Sequence, residues 1–199
     1  MVARTNKRAQ PRFRVHLRRP ARRDAEQFID AVRASRRLHG NWVAAPATAM
    51  AFRDYLARFA RPVRGAQHVG YVAATVEDDA IVGVLNLSEI VRGAFESAYL
   101  GYYALAPFAA RGYMTEALVL LLDAAFRDVG LHRVEANVQP TNARSLALVE
   151  RVGFVREGYS RRYVKVGGRW RDHVRLAMLA EDWPKTRRAL LARLRQVAS

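Results

Sequence analysis

The segment with the clearest capacity for chemistry lies at residues 109–115, AARGYMT, between a β-rich run and a long amphipathic helix. Gly112 lets the backbone approach a ligand closely, because glycine carries no Cβ. Unpaired amides at the start of the following helix, together with the helix dipole, favour an anion such as a pyrophosphate. The sequence therefore predicts a phosphate-binding turn. Its expected members are Ala110, Arg111, Gly112, Tyr113, Met114 and Thr115.

Other nucleotide-binding and metal-binding patterns are missing from the sequence. Neither a Walker lysine loop nor the three-glycine dinucleotide fingerprint is present, which argues against an ATPase and against a Rossmann enzyme. The chain has no cysteine, which excludes disulfides and cysteine-ligated zinc. Its five histidines show no metal-ligand spacing, so no metal site is predicted. They are His16, His39, His68, His132 and His173.

The periodicity around the turn predicts a single mixed domain. Asn142 is a good N-cap for a short helix that Gly153 ends. Gly167 and Gly168 permit the positive φ of a tight hairpin turn. Strands are predicted over residues 12–17, 69–76, 80–90, 98–105, 134–138, 154–166 and 169–179, and helices around 25–32, 48–59, 113–129 and 142–153 and after Pro184.

The charge balance is strongly basic, with a formal net charge of +16. Residues 1–11 form a basic lead without an acid, and residues 184–199 are expected to form a basic helix, on either side of a domain at 12–183. Such charge attracts polyanions, so ribosomal RNA is a candidate partner. The alternative explanation of the charge is an arginine-rich composition without a functional role.

No apolar run reaches about 18 residues, so no membrane span is predicted. The lack of cysteine fits a cytoplasmic location.

These features resemble the GNAT superfamily of N-acetyltransferases. The family signature is Gln or Arg, two residues, Gly, one residue, then Gly or Ala; its glycine falls on Gly112, while Ala109 and Met114 depart from it. The ribosomal-protein alanine acetyltransferases of the RimJ and RimL type tolerate these changes, and the resemblance leans towards RimJ over about residues 18–183. The stretches that carry it are HGNWV, IVRGAFESAYLGYYAL, ARGYMTEAL, HRVEANVQPTNARSLALVERVGFVREGY and GGRWRDHVRLAMLAEDW.

The resemblance implies a three-layer α+β fold. Its mixed, mostly antiparallel sheet is flanked by helices, and two central parallel strands, 98–105 and 134–138, splay apart. Acetyl-CoA is the implied cosubstrate, with its pantetheine arm in the gap beside backbone groups near Leu105 and its pyrophosphate at residues 110–115. Asn142 would contact the pantetheine arm, and a role as helix cap alone is the alternative.

The implied reaction is acetylation of a primary amine, in this branch the N-terminal alanine of a ribosomal protein. An α-amino group of pKa about 7.7–8.0 is roughly 10–20% neutral at pH 7, so it asks little of a base. By position, Ser145 would hold or protonate the sulfur, and Glu157 would accept the proton of the amine. Ion pairing with the nearby Arg151, Arg156 and Arg161 is the alternative role of Glu157. The next candidates for the base are Glu89, Tyr159 and Tyr163.

Two further segments carry the resemblance without a defined role. The loop that holds Trp42 is implied to wall the acceptor site, although an isolated tryptophan also serves as a packing anchor. Arg92 and Gly93 either contact the substrate or shape a turn. For the whole protein, the alternatives are a basic module that binds the ribosome or its RNA with little acetylation, and a GNAT enzyme that acts on a small-molecule amine.

Overall fold

The computed structural model describes residues 13–61, 63 and 65–197. Seven strands form one sheet in the order β1-β2-β3-β4-β5-β7-β6, in which only β4 and β5 pair in parallel. The strands are β1 (Val15–Arg18), β2 (Val69–Thr75), β3 (Ile81–Val91), β4 (Ser97–Ala104), β5 (Arg133–Val138), β6 (Val155–Val166) and β7 (Arg169–Leu179). The helices are α1 (Ala25–Ala34), α2 (Arg36–His39), α3 (Ala49–Arg58), α4 (Tyr113–Arg127), α5 (Ala143–Val152) and α6 (Trp183–Val197).

Helices cover both faces of this sheet, which confirms the expected three-layer α+β fold. On the face that we call the α4 face, Leu118 of α4, Val149 of α5 and Leu190 of α6 belong to one buried apolar cluster with the sheet. On the opposite face, called the α1 face, Phe28 of α1 and Phe52 of α3 pack with their ring centroids 4.7 Å apart. The strand residues of this second cluster come from β2 and β3, so α1 and α3 leave the β5, β7 and β6 side of the α1 face uncovered.

The two parallel strands splay apart, as expected. β4 and β5 pair over four residues, from Ser97 with Arg133 to Leu100 with Ala136. Beyond that point β4 continues for four residues and β5 for two, but the two strands no longer pair with each other. A gap therefore opens between their C-terminal ends. Helices α4 and α5 follow these strands in the chain, so both helices start at the gap end of the sheet.

Several local signals in the sequence act as predicted. Gly153 ends α5 with φ of 105°, and Gly167 and Gly168 form the β6–β7 turn with φ of 56° and 78°. Arg92 donates from Nη1 to the carbonyl oxygen of Val129 at 2.7 Å, so its side chain binds the chain just after α4. This contact favours the structural role of Arg92 over substrate contact.

Within the ranges described above, no helix is both long and apolar enough to cross a bilayer.

Candidate active site

The turn before α4 presents backbone amides for an anion. Gly112 is the N-cap of α4 with φ of 85°, and Ala110 also has a positive φ, 62°. The amide of Thr115 donates to the Gly112 carbonyl at 3.0 Å. For the amides of Tyr113 and Met114, the described residues provide no backbone acceptor. Free amides at a helix N-terminus bind phosphate groups, so the turn has the character predicted from the sequence.

An ion pair joins β1 to this turn. The carboxylate of Glu116, almost fully buried, accepts from Arg14 Nε at 2.7 Å and from the Arg14 backbone amide at 2.7 Å. Arg14 Nη2 also donates to the Arg111 carbonyl at 3.1 Å, and its guanidinium lies 4.5 Å from the ring centroid of Tyr113. The contact therefore holds a guanidinium beside the free amides.

Three of the predicted cofactor residues are buried, so their side chains are unavailable to a ligand. Met114 and Thr115 point into the core, and only their backbone borders the turn. Leu105 is fully buried, and its amide donates to the Val82 carbonyl of β3 at 2.9 Å. Because successive amides of a strand point to opposite sides, the amide of Ala104, rather than that of Leu105, is directed into the gap.

At the start of α5, Ser145 is hydrogen-bonded both to Asn142 and to Tyr102. Asn142 Oδ1 accepts from the Ser145 amide at 3.2 Å, so Asn142 is the helix cap that the sequence predicted. The hydroxyl oxygens of Tyr102 and Ser145 are 2.5 Å apart, and either can donate. Burial raises the pKa of Tyr102 to about 12, so its hydroxyl is protonated at neutral pH. The contact sets a buried proton donor behind Ser145.

Glu157 lies on the open part of the α1 face and is held by Arg133, whose backbone pairs with Ser97 at the end of the β4–β5 pair opposite to the gap. Arg133 Nη1 donates to Glu157 Oε1 at 2.9 Å, and Nη2 donates to Oε2. These bonds, with the charge of Arg133, hold the pKa of Glu157 below its ordinary value. The same guanidinium donates from Nε to Glu135 at 2.9 Å. Glu157 is therefore an ionised carboxylate, about one third exposed, and its partner is Arg133 rather than Arg151, Arg156 or Arg161, which the alternative interpretation named.

The other candidates for the base lie in different places. Glu89 lies on β3, next to the paired end of β4 and away from the gap. Its Oε1 is 3.7 Å from Nη2 of Arg58 on α3. Tyr159 donates to Asp172 at 2.6 Å on the exposed hairpin, and this bond raises its pKa. Tyr163 is closer to the site, because its hydroxyl donates to that of Tyr99 at 3.3 Å above β4. That bond, followed by burial, raises the pKa of Tyr99 to about 12.

A cleft of about 430 Å³ borders the open face. One wall is the loop between α2 and α3, and the other is the tip of the β6–β7 hairpin. Trp42 lies in this loop but does not line the cleft. Its ring packs beside Gly40, which does line the cleft, 3.7 Å from the position that a Cβ on Gly40 would take. The residues that line the cleft are Gly40, Asn41, Val43, Ala44, Val166, Gly167, Arg169 and Arg171.

Sequence reasoning missed Tyr102 and Arg133. Strand alternation could have placed Tyr102, because it shares a face of β4 with buried Leu100 and so points towards the helices that follow the gap. No local pattern in the sequence indicates the role of Arg133. Its partner Glu157 is 24 residues away, on a strand that does not pair with β5.

The gap, the free amides and the two arginines beside them fit a ligand with a diphosphate and a long extended arm. Glycine is favoured at position 112 because its φ is 85° and because an added Cβ would lie 3.1 Å from Arg14 Nη2, beside the free amides. Positive charge from Arg111 compensates the anion, Arg14 adds a guanidinium whose charge is shared with Glu116, and the unpaired edges of β4 and β5 offer hydrogen bonds to the arm. This combination is the one expected for coenzyme A.

Comparisons with known proteins find N-acetyltransferases. The probable N-acetyltransferase YjcK of Bacillus subtilis is 43% identical over 108 residues, 54% of this chain and 60% of that protein. The [ribosomal protein uS5]-alanine N-acetyltransferase of Escherichia coli is 41% identical over 107 residues, 54% of this chain and 55% of that protein. The chain thus spans little more than half the length of these relatives.

A solved structure covers much more of the chain. Mycobacterium smegmatis RimJ in complex with CoA-disulfide superimposes with a TM-score of 0.81 at 30% identity, over 90% of this chain and 88% of that one. The acetyltransferase (GNAT) domain family matches residues 14–155, which contain the turn, the gap, Asn142 and Ser145. The chain therefore belongs to the acetyltransferase (GNAT) domain family.

Proposed function

We propose that this protein transfers an acetyl group from acetyl-CoA to the N-terminal amine of a protein, with alanine as the first residue and a ribosomal protein as the natural acceptor. The observation that carries the proposal is the position of the α4 amides at the open end of the splayed β4–β5 pair. The free amides can therefore bind the diphosphate of acetyl-CoA, while the unpaired strand edge binds its pantetheine arm.

Each part of the chain has a defined task in this proposal. When bound, acetyl-CoA supplies an acyl group activated as a thioester. The amides of Tyr113 and Met114, with Arg14 and Arg111, hold the diphosphate. The amide of Ala104 and the side chain of Asn142 hold the pantetheine arm. Asn142 uses Oδ1 for the helix cap, and its amide nitrogen can donate to the arm.

The remaining residues move protons. Glu157 accepts the proton that the acceptor nitrogen loses as it forms the new amide bond, through a water where the carboxylate does not reach. Ser145 gives its proton to the departing sulfur and recovers one from Tyr102 through their hydrogen bond. Burial keeps Tyr102 protonated before the transfer. After product release, water returns a proton to Tyr102 and takes the amine proton from Glu157. The proton lost by the amine and the proton gained by the thiol then balance over one turnover.

The choice of acceptor rests on two supports. The relative from E. coli acts, by its name, on an alanine of ribosomal protein uS5. A base with a lowered pKa is weak, and a terminal α-amine needs only a weak base because it is partly neutral at pH 7. A lysine side chain or a small aliphatic amine, with a pKa above 10, needs a stronger one.

Mass spectrometry tests the proposal. The protein is incubated with acetyl-CoA and either Ala-leading peptides, the same peptides with a blocked N-terminus and one lysine, or a polyamine. We expect one added acetyl group on the free N-terminus and little on the lysine or polyamine. Acetylation of the polyamine alone would establish the small-molecule alternative, and no acetylation of any amine would favour the binding module.

A further inference from the structure

The open part of the α1 face contains two arginines with a buried nitrogen that lacks a hydrogen-bond partner among the described residues. Arg171 and Arg175 lie on β7, and because side chains two residues apart point to the same face, both project from the α1 face. The Nε atom of each is buried and has no hydrogen-bond partner among the described residues. Arg175 extends over Gly158 of β6, where an added Cβ would lie 3.8 Å from its Nη2.

A third unpartnered polar atom lies on the same open part. Asn137 pairs with Arg175 in the sheet, is the first residue of β5 beyond its last pair with β4, and has a buried Oδ1 without a donor among the described residues. A buried polar atom that lacks a partner is destabilising. Three such atoms on one face of the neighbouring strands β5 and β7 indicate a site that a ligand completes.

The charge of this site is positive. Glu135 and Glu157 on the open face both bind Arg133. The charge of Arg175 also helps to lower the pKa of Glu157, so Arg175 is partly compensated. Arg169 and Arg171 add two further guanidinium groups at the cleft wall, so arginines outnumber the two carboxylates on this face. A cationic acceptor such as a polyamine is repelled by this surface, whereas a carboxylate can bind a guanidinium through two parallel hydrogen bonds.

We infer that the preferred acceptor is an N-terminal segment with acidic side chains shortly after its first residue. This inference rests on the proposed transfer to an N-terminal amine. With the amine at the gap, Arg175 lies beside the start of the acceptor. Arg171 is four residues further along β7, about 13 Å at roughly 3.3 Å per residue, so an extended acceptor reaches it with its second to fifth residues.

Three amidated pentapeptides test this specificity: Ala-Glu-Gly-Glu-Gly, the neutral Ala-Gln-Gly-Gln-Gly and the basic Ala-Lys-Gly-Lys-Gly. With saturating acetyl-CoA at about 50 mM salt, we expect kcat/KM for the acidic peptide to exceed that for the neutral one about tenfold, mainly through KM, and the basic peptide to be poorest. At about 500 mM salt the acidic preference should fall severalfold, because salt screens the charges.

Matched variants assign the effect to residues. Arg171→Gln and Arg175→Gln should each lower the acidic-over-neutral ratio, and the double variant should bring it close to one. Lys165→Gln removes one charge from the same hairpin, but Lys165 pairs with Trp170 on the opposite face, so this variant should keep the wild-type ratio. Melting temperatures identify any variant that fails to fold, and the salt experiment on the unmodified protein needs no variant.

The outcomes separate this inference from the proposed function. Equal kcat/KM for the acidic and neutral peptides, or a ratio unaffected by salt, overturns the inference and leaves transfer to an N-terminal amine standing. No acetylation of any of the three peptides, in a protein whose melting temperature acetyl-CoA still raises, overturns the proposed acceptor and this inference with it.

Discussion

Arg133 holds Glu157 with two hydrogen bonds across the open face of the sheet, from Nη1 to Oε1 at 2.9 Å and from Nη2 to Oε2. Both carboxylate oxygens are thereby engaged, and the pKa of Glu157 is lowered. A proton from the acceptor amine can still be taken through the remaining lone pairs, because each carboxylate oxygen has two. Arg133 thus controls both the position and the basicity of the proposed base.

The first prediction concerns this pair. Glu157→Gln should lower kcat by about 10²-fold and leave acetyl-CoA affinity nearly unchanged, since it removes a base remote from the phosphate turn. Removing the cation in Arg133→Met should raise the pKa of Glu157 towards 4.5, so the acidic limb of the kcat profile should move to higher pH. Stopped assays between about pH 3 and 9 with an Ala-leading peptide measure both effects.

Arg133→Lys and Glu89→Gln are the controls for this prediction. Lysine keeps the charge, so the limb should move less than in Arg133→Met. Glu89 lies beside Arg58 and away from the gap, so Glu89→Gln should retain wild-type kcat. If Glu157→Gln retained kcat while Glu89→Gln lost it, the base would be Glu89 instead.

The second prediction uses two glycines at opposite ends of α4. Gly112 and Gly130 have φ of 85° and 71°, so valine at either position is strained by about 1–2 kcal/mol. An added Cβ contacts nothing within 4 Å at Gly130, whereas at Gly112 it lies 3.1 Å from Arg14 Nη2 beside the free amides. Both variants should melt at lower temperature, but only Gly112→Val should lose the stabilisation by acetyl-CoA.

Differential scanning fluorimetry across an acetyl-CoA titration measures this contrast, because a ligand that binds only the folded state raises the melting temperature with its concentration. An equal acetyl-CoA shift in the two variants would show that the cosubstrate does not use the turn at Gly112.

The third prediction concerns the buried hydrogen bond between Tyr102 and Ser145. If the two hydroxyls act as one proton path, Tyr102→Phe and Ser145→Ala should lower kcat by similar factors. The double variant should then be hardly slower than either single variant, because removing one hydroxyl already breaks the path. Single-turnover assays on all four proteins complete this cycle. Losses that multiply in the double variant would mean that the two residues act independently.

Residues with local signals were predictable from the sequence. Gly112, Asn142 and Gly153 each end or start a helix, and such caps depend on neighbours within a few residues. The long-range contacts were not predictable. Arg14 binds Glu116 across 102 residues of chain, and Arg133 binds Glu157 on a strand that is not its neighbour. These pairs depend on sheet order, which periodicity does not encode.

Details within correctly predicted elements depended on strand register. Leu105 was expected to offer its backbone to the cosubstrate, but its amide pairs with β3 and Ala104 faces the gap instead. One residue of register decides this choice, because amides alternate along a strand. The first eleven residues, predicted to form a basic lead, lie outside the described residues, so their role stays a prediction.

The last prediction joins the charge of the chain to the presentation of its acceptor. Ribosomal proteins are mostly basic, and a chain of net charge +16 is repelled by a free basic protein. Phosphates of ribosomal RNA attract it instead. Lys185, Arg188 and Arg193 are exposed on α6, and residues 1–10 contain three further basic residues. We therefore expect faster acetylation of a protein bound in a ribosomal particle than its free form.

Removal of residues 1–10 tests this expectation, because three lost phosphate contacts reduce the slope of log activity against log salt by about 2 to 3 on the particle. The same truncation should leave a short Ala-leading peptide almost unaffected, since the peptide carries no phosphate. Initial rates between 50 and 200 mM salt on the two substrates measure the difference. Equal losses on both would assign residues 1–10 to the fold or the active site, and no loss on either would leave their charge without a part in acceptor binding.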